Sequence, residues 1–164
     1  VIPDFPKQGI SFKDITTVFK VPEALKYIVD SITDHFKDYK VDMVVGTEAR
    51  GFLVGTPLAY LLNAGFVLVR KPNKLPAETV KVTYELEYGT DSLEIHKDSI
   101  KPGQRVLIVD DLLATGGTMQ ATIELVKELG GEIVGIAFLI ELTDLGGREL
   151  LKDYEVFSLV TYDH

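Results

Sequence analysis

The most chemically specific feature of the chain is a pair of adjacent carboxylates followed by a run of small residues, Asp110-Asp111-Leu112-Leu113-Ala114-Thr115-Gly116-Gly117-Thr118. Directly before it lies the apolar run Arg105-Val106-Leu107-Ile108-Val109. Directly after it, Met119, Ile123, Val126 and Leu129 recur at helical spacing up to Gly130-Gly131. A buried strand therefore delivers two acids to the end of a sheet, and a loop of small side chains leads into a helix. Small residues let backbone N–H groups converge on an anion, and the helix N-terminus adds partial positive charge. Thr115 and Thr118 can donate hydroxyl hydrogen bonds to the same anion. A phosphate monoester fits this loop. The aspartates cannot share that role, because carboxylates repel phosphate; they suit neutral hydroxyls such as the vicinal diol of a ribose. Acid pair and anion cradle together read as recognition of a ribose 5-phosphate. Gly-Gly-Thr alone would suit an ordinary βα turn with a threonine cap; the combination points to phosphate.

Two further polar loops complete the chemical inventory. Arg50 follows Thr47-Glu48-Ala49 at a strand-to-helix turn, where a guanidinium fork can grip phosphate oxygens. Arg70, Lys71 and Lys74 form a basic, proline-broken patch, which also reads as a solvated loop. Other phosphate and hydrolase motifs are missing: there is no Gly-x-x-x-x-Gly-Lys-Ser/Thr, Gly-x-Gly-x-x-Gly, His-Glu-x-x-His or Gly-x-Ser-x-Gly. His35, His96 and His164 are scattered, and none is expected to be catalytic.

The elements that must position these loops are legible from periodicity. Leu25, Ile28, Val29, Ile32 and Phe36 predict an amphipathic helix over 23–38, with Pro22 at its first turn. Residues 41–46 and 66–69 are short apolar runs, expected as buried strands, with a helix from Gly51 to Asn63 between them. Val80, Val82 and Tyr84, then Leu93 and Ile95, alternate with polar residues, which predicts an antiparallel ribbon over 79–96. It is expected as an excursion covering one end of the sheet. Ile133 to Ile140 predicts another buried strand, followed by a short helix around 145–152 and a last strand, Val156 to Val160. Apolar strands alternating with helices argue for an α/β fold, a mostly parallel sheet with helices on both faces. Ligands collect at the carboxyl ends of such strands, where all three polar loops lie.

Composition narrows the function classes. The 164 residues suit one domain, and 46% hydrophobic with 26% charged residues is an ordinary globular balance. Seventeen basic against 25 acidic residues give a net charge of −8, a poor electrostatic surface for nucleic acid. With no cysteine, a disulfide scaffold, a thiolate metal site and a Cys nucleophile are excluded, and a reducing, cytoplasmic setting is expected. No run approaches the ~20 apolar residues of a membrane span. The opening Val1-Ile2-Pro3-Asp4-Phe5-Pro6 does not read as a signal peptide.

The segment from Val106 to Thr118 resembles the phosphoribosyl diphosphate (PRPP) motif of type I phosphoribosyltransferases, in the form carried by the adenine-using branch of that family. Further stretches agree in order along nearly the whole chain: Phe5-Pro6, Gly9 to Ile15, Ala49-Arg50-Gly51-Phe52, Arg70-Lys71, Lys74-Leu75-Pro76, Leu86-Glu87-Tyr88-Gly89 and Ile140-Glu141-Leu142. The resemblance implies transfer of phosphoribose from PRPP to N9 of adenine, giving AMP and diphosphate. It implies Ala114, Thr115, Gly116, Gly117 and Thr118 at the 5-phosphate, and Asp110 and Asp111 at the ribose. It implies Arg50, Lys71 and Lys74 at the diphosphate, and Glu87 with Tyr88 in a proton-moving loop. Ser11, Phe12, Lys13 and Leu142 are expected around adenine, although the family often carries Arg where Lys13 stands. Mg²⁺ is expected to travel with PRPP, without a dedicated metal cage. A homodimer is expected from the family alone. The whole chain, 1–164, is expected as one domain, with 1–20 as a base-binding segment and 79–97 as a mobile ribbon over the site. An enzyme for an oxopurine such as xanthine, and a non-catalytic PRPP-sensing domain, share the motif. Ser11 to Asp14 and Leu86 to Gly89 favour adenine; retention of Arg50, Glu87 and the basic loop favours an enzyme.

Overall fold

The fold is given by a computed structural model, which describes residues 1–86 and 88–163. A two-residue strand β1 (Ile2–Pro3) pairs antiparallel with β2 (Ser11–Phe12) in a small N-terminal hairpin. Then follow α1 (Thr16–Phe19), α2 (Pro22–Phe36), β3 (Met43–Thr47), α3 (Arg50–Leu61), β4 (Gly65–Arg70), β5 (Thr79–Glu85) and β6 (Thr90–His96). The chain continues through β7 (Arg105–Leu113), α4 (Gly117–Glu128), β8 (Glu132–Leu142), α5 (Gly147–Leu150) and β9 (Val156–Tyr162).

Seven strands form one sheet in the order β5-β6-β4-β3-β7-β8-β9. The pairs from β4 to β9 are parallel, as the apolar runs predict, because a strand buried on both faces needs no polar alternation. Successive residues then serve opposite layers. In β7, Val106 and Ile108 join one core cluster while Leu107 and Val109 join the other. Helices α2 and α3 cover one face through Ile28, Ile32, Val54 and Leu58. Helix α4 covers the other through Met119, Ile123 and Val126.

The ribbon over 79–96 departs from its expected placement. It is not a cap over one end; it continues the sheet sideways. Strand β6 pairs antiparallel with β4 through Val69↔Ile95 and Arg70↔Glu94, and buries Leu93 and Ile95 in the core beneath α4. Its apolar alternation fits both placements. The two pairs with β4 decide, and sequence cannot show them. Among the described residues, no helix is long and apolar enough to cross a membrane.

Candidate functional site

The topology fixes where a ligand can sit. After β3 the chain crosses through α3 to β4 on one side, and after β7 it crosses through α4 to β8 on the other. The order therefore reverses between β3 and β7. At such a switch point the two βα turns diverge and leave a crevice. Here those turns are Thr47 to Arg50 and Asp110 to Thr118, and they bound a cleft of about 320 Å³. Lys71, at the end of β4, lines it from the side, and Leu93, Met119 and Phe138 add apolar wall.

The end of β7 carries the acids. Both aspartates lie inside the strand, which runs on to Leu113 with Asp110 opposite Phe138 of β8. Their backbone positions are thus set by the sheet ladder. Asp111 accepts a hydrogen bond from Arg50 Nε at 2.5 Å, across the crevice. The Asp110 carboxylate accepts the Asp111 N–H at 2.8 Å. Burial first, and the charge of Asp111 second, push the Asp110 carboxyl up to about 8. At neutral pH, then, Asp110 holds a proton and the Asp111 charge faces Arg50. The pair does not present two free negative charges. Beside Asp110 stands Thr47, whose buried Oγ1 lacks a well-formed partner but is near enough to pull the Asp110 pKa slightly back down.

The phosphate loop follows. Gly116 is the N-cap of α4 with φ +91°, a left-handed conformation that glycine adopts without a Cβ clash. No side chain caps the helix. The ordinary-turn reading required a threonine cap, and that cap is not made. The first N–H groups of α4 have no carbonyl of a preceding turn to meet, so they are free to point at a ligand. Thr115 and Thr118 are exposed beside them, and the whole loop from Ala114 to Thr118 lines the cleft.

The cations come from the opposite wall. Besides its bond to Asp111, Arg50 lies over the ring of Phe12, 5.5 Å from centroid to Cζ. Lys71 Nζ pairs with Asp91 of β6, and its backbone N–H donates to Glu48 Oε1 at 2.5 Å. The Lys71 ammonium holds Asp91 below the ordinary carboxylate range. Arg70 does not line the cleft itself; its Nε lies 3.6 Å from Glu48 Oε1 and its guanidinium stands over the ring of Phe52. The peptide bond between Glu48 and Ala49 is cis.

Arg50, Lys71, Asp110, Asp111 and residues 114–118 thus meet in one cleft. Lys74 is exposed and does not line it. Ser11, Phe12 and Lys13 sit at its margin: Phe12 touches Arg50, and Lys13 Nζ lies 5.6 Å from the Tyr162 ring centroid and 3.5 Å from Ser11 Oγ. Leu142 is buried at the end of β8, opposite Tyr162. Tyr88 is 86% exposed, and Glu87 lies outside the described residues. Sequence reasoning missed Thr47 and Glu48 as individual side chains and Asp91 as the partner of Lys71. All three depend on contacts between distant segments, for which no local signal exists. Among the described residues, no three His, Cys, Asp or Glu side chains converge as a metal site.

Known proteins share this architecture. Residues 14–164 match the phosphoribosyl transferase domain family. The adenine phosphoribosyltransferase of Alkaliphilus oremlandii is 67% identical over 162 residues, covering 99% of this chain and 94% of its own. The crystal structure of adenine phosphoribosyltransferase from Thermoanaerobacter pseudethanolicus superposes with a TM-score of 0.94 at 58% identity, over 98% of this chain and 94% of that one. The Saccharomyces cerevisiae enzyme, complexed with adenine and an imino-altritol bisphosphate, gives 0.91 at 44% identity, over 96% and 92%. On fold, cleft and sequence together, the chain belongs to the phosphoribosyl transferase domain family.

Proposed function

We propose that the protein transfers the phosphoribosyl group of PRPP to N9 of adenine, giving AMP and diphosphate in purine salvage. The carrying observation is the uncapped start of α4, opening at Gly116 onto the cleft that also holds Asp110, Asp111 and Arg50. The yeast relative, which binds adenine together with a sugar-like bisphosphate, supports the same pairing of ligands here.

Each residue then has a task. The amides of residues 115–118 and the hydroxyls of Thr115 and Thr118 hold the 5-phosphate. Asp111 accepts from a ribose hydroxyl, and Asp110, protonated at neutral pH, can donate as well as accept. In the reaction the bond from C1′ to the diphosphate oxygen breaks, the bond from C1′ to N9 forms, and the N9 proton leaves. Positive charge grows on the ribose in between, and the Asp111 carboxylate stabilises it. Arg50 and Lys71, which line the cleft, take the departing diphosphate, and Lys74 lies outside it. Arg50 and Lys71 are engaged by Asp111 and Asp91, so diphosphate binding exchanges a carboxylate for a phosphate oxygen at each. Phe12 and Leu142 form the walls for the adenine ring, with Ser11 and Lys13 at its polar edge. Glu87, beside Tyr88, moves the proton at the base. Residues 1–20 serve as the base-binding segment of the single domain 1–164; within 79–97, β5 and β6 are fixed in the sheet, and the turn between them is the part that closes over the base.

Mg²⁺ travelling with PRPP would keep several waters and bind mainly through substrate oxygens, so it needs no dedicated protein cage. It would neutralise diphosphate charge, with Asp111 the carboxylate in the cleft nearest to such a role. Leu53, Tyr60 and Leu61 are exposed along one side of α3, which supports a homodimer that covers them. The setting is cytoplasmic, and the acidic chain has no nucleic-acid partner.

The test is nucleotide formation from PRPP, Mg²⁺ and each purine in turn. AMP from adenine alone is expected. Product from an oxopurine would move the protein to a sibling specificity, and PRPP binding without turnover would make it a sensor. Glu87→Gln is expected to lower kcat with PRPP binding retained; a normal kcat would reassign the proton transfer.

A further inference from the structure

Glu141 stands in the last residues of β8 at 4% exposure, a depth at which a carboxylate must be well paired. Arg148, in α5, donates Nε to its Oε1 at 2.8 Å and Nη2 to its Oε2 at 2.6 Å. Ser158, in β9, donates its hydroxyl to Oε2 at 2.6 Å. Arg148 also donates Nη1 to the Val156 carbonyl at 3.2 Å. Through these bonds one guanidinium ties α5 to β8 and β9 at once. None of the four residues lines the cleft, so the chemistry described above makes no use of them.

Helix α5 in turn backs the phosphate loop. A Cβ at Gly147 would come 2.3 Å from the Ala114 carbonyl oxygen and 2.8 Å from Leu113 Cδ1. Conversely, a Cβ at Gly116 would stand 3.2 Å from the Gly147 carbonyl oxygen. The two backbones are in contact, with no side chain between them to absorb a shift. Glu141 itself lies opposite Leu113 in the ladder, one residue before the loop begins. The clamp and the loop are therefore joined by two routes, through the β7–β8 pairing and through Gly147.

We infer that Glu141 and Arg148 are positioning residues for PRPP: by fixing α5 they set where the Ala114–Gly116 backbone stands, and hence the affinity for the terminal phosphate. The inference rests on the reading of residues 114–118 as the 5-phosphate cradle. Arg148 touches no substrate and acts through Gly147 and through the β7–β8 pairing at Glu141. The Arg148 side chain is 50% exposed, so its replacement opens no core cavity.

The experiment measures both KM values, kcat, and equilibrium binding of ribose 5-phosphate, in wild type, Arg148→Gln, Arg148→Lys and Ser158→Ala. For Arg148→Gln the KM for PRPP and the Kd for ribose 5-phosphate are expected to rise about tenfold, as for a small displacement of a binding group. The KM for adenine should stay within about twofold, and Arg148→Lys should recover part of the loss. Ser158→Ala keeps the ion pair and should shift PRPP in the same direction by about twofold, which provides a reading even if Arg148→Gln does not fold. A general structural role would reduce the active fraction and leave both KM values in place. Unchanged KM for PRPP in all three variants, or equal movement of both KM values, overturns the inference. Gly116→Ala separates it from the reading beneath. If that variant loses ribose 5-phosphate and Arg148→Gln does not, the clamp is wrong and the cradle stands. If neither loses it, the cradle itself is wrong.

Discussion

The floor of the cleft and its margin are built in opposite ways. On the floor, Asp110 and Asp111 belong to a strand whose preceding residues, Val106 to Val109, are fully buried between two helical layers. The phosphate loop is pinned at one end by that strand and at the other by α4. At the margin, the N-terminal hairpin has two pairs of ladder residues, and Val1, Ile2, Phe5 and Ile10 remain exposed. Two ring contacts, Phe12 with Arg50 and Lys13 with Tyr162, tie it to the body. The turn of the ribbon is similarly open, with Leu86 and Tyr88 exposed. The contrast teaches a division of labour. Groups assigned to the phosphoribosyl half are held by the core, whereas those assigned to the base, Leu142 of β8 apart, are lightly attached.

Substitutions that strike the two regions should separate cleanly. The largest effect is expected from Asp110→Asn with Asp111→Asn, which should lower kcat/KM by roughly 10²-fold or more with the fold intact, since the Asp111 charge facing the developing cation and the Asp110 carboxyl beside it are both removed. Unchanged turnover would remove the ribose assignment. Next comes Arg50→Lys, which keeps the charge and loses the fork. PRPP affinity should fall by about tenfold in steady-state kinetics. Phe12→Ala addresses the margin alone: the KM for adenine should rise by about tenfold while that for PRPP stays, from the loss of one aromatic wall. A matched rise in both KM values would merge the two regions into one.

The remaining effect is on stability and not on turnover, a pH dependence in the ligand-free protein. The Asp110 carboxyl titrates near 8 in the fold, against an ordinary value of 3.8. Between those values the folded state binds more protons than the unfolded one, so this contribution is full below about pH 4 and is lost as pH rises toward 8. Asp91, Glu141 and Glu155 have lowered values and act only in the acid range, where they are lost as pH falls. Thermal unfolding from pH 5 to 8 should therefore show a decline in Tm that flattens in Asp110→Asn. An identical slope in that variant would contradict the protonated state of Asp110.

The floor was far more legible in the sequence than the margin. The run from Arg105 to Thr118 declares itself because a strand, two acids and a small-residue loop follow one another without interruption. Helix α2 ends within two residues of its expected limits, since its apolar stripe has a clear period. What escaped was everything fixed by distant partners. That Asp111 meets Arg50 depends on two turns 61 residues apart being brought to one crevice. The ribbon reads as a half-exposed hairpin in either placement, and it is the pairs Val69↔Ile95 and Arg70↔Glu94 that join it to the sheet edge. Lys74 belongs to the same basic run as Lys71, yet the loop after β4 carries it away from the cleft. Gly147 carries no local sign that its hydrogen side faces the Ala114 carbonyl.

In the function proposed, the start of α4 grips the terminal phosphate of the ribosyl substrate. A crystal structure with AMP tests it most directly. The expected result is phosphate oxygens within hydrogen-bond distance of the amides of residues 115–118, with the ribose hydroxyls at Asp110 and Asp111. A phosphate lodged elsewhere, with that loop contacting no ligand, would contradict it.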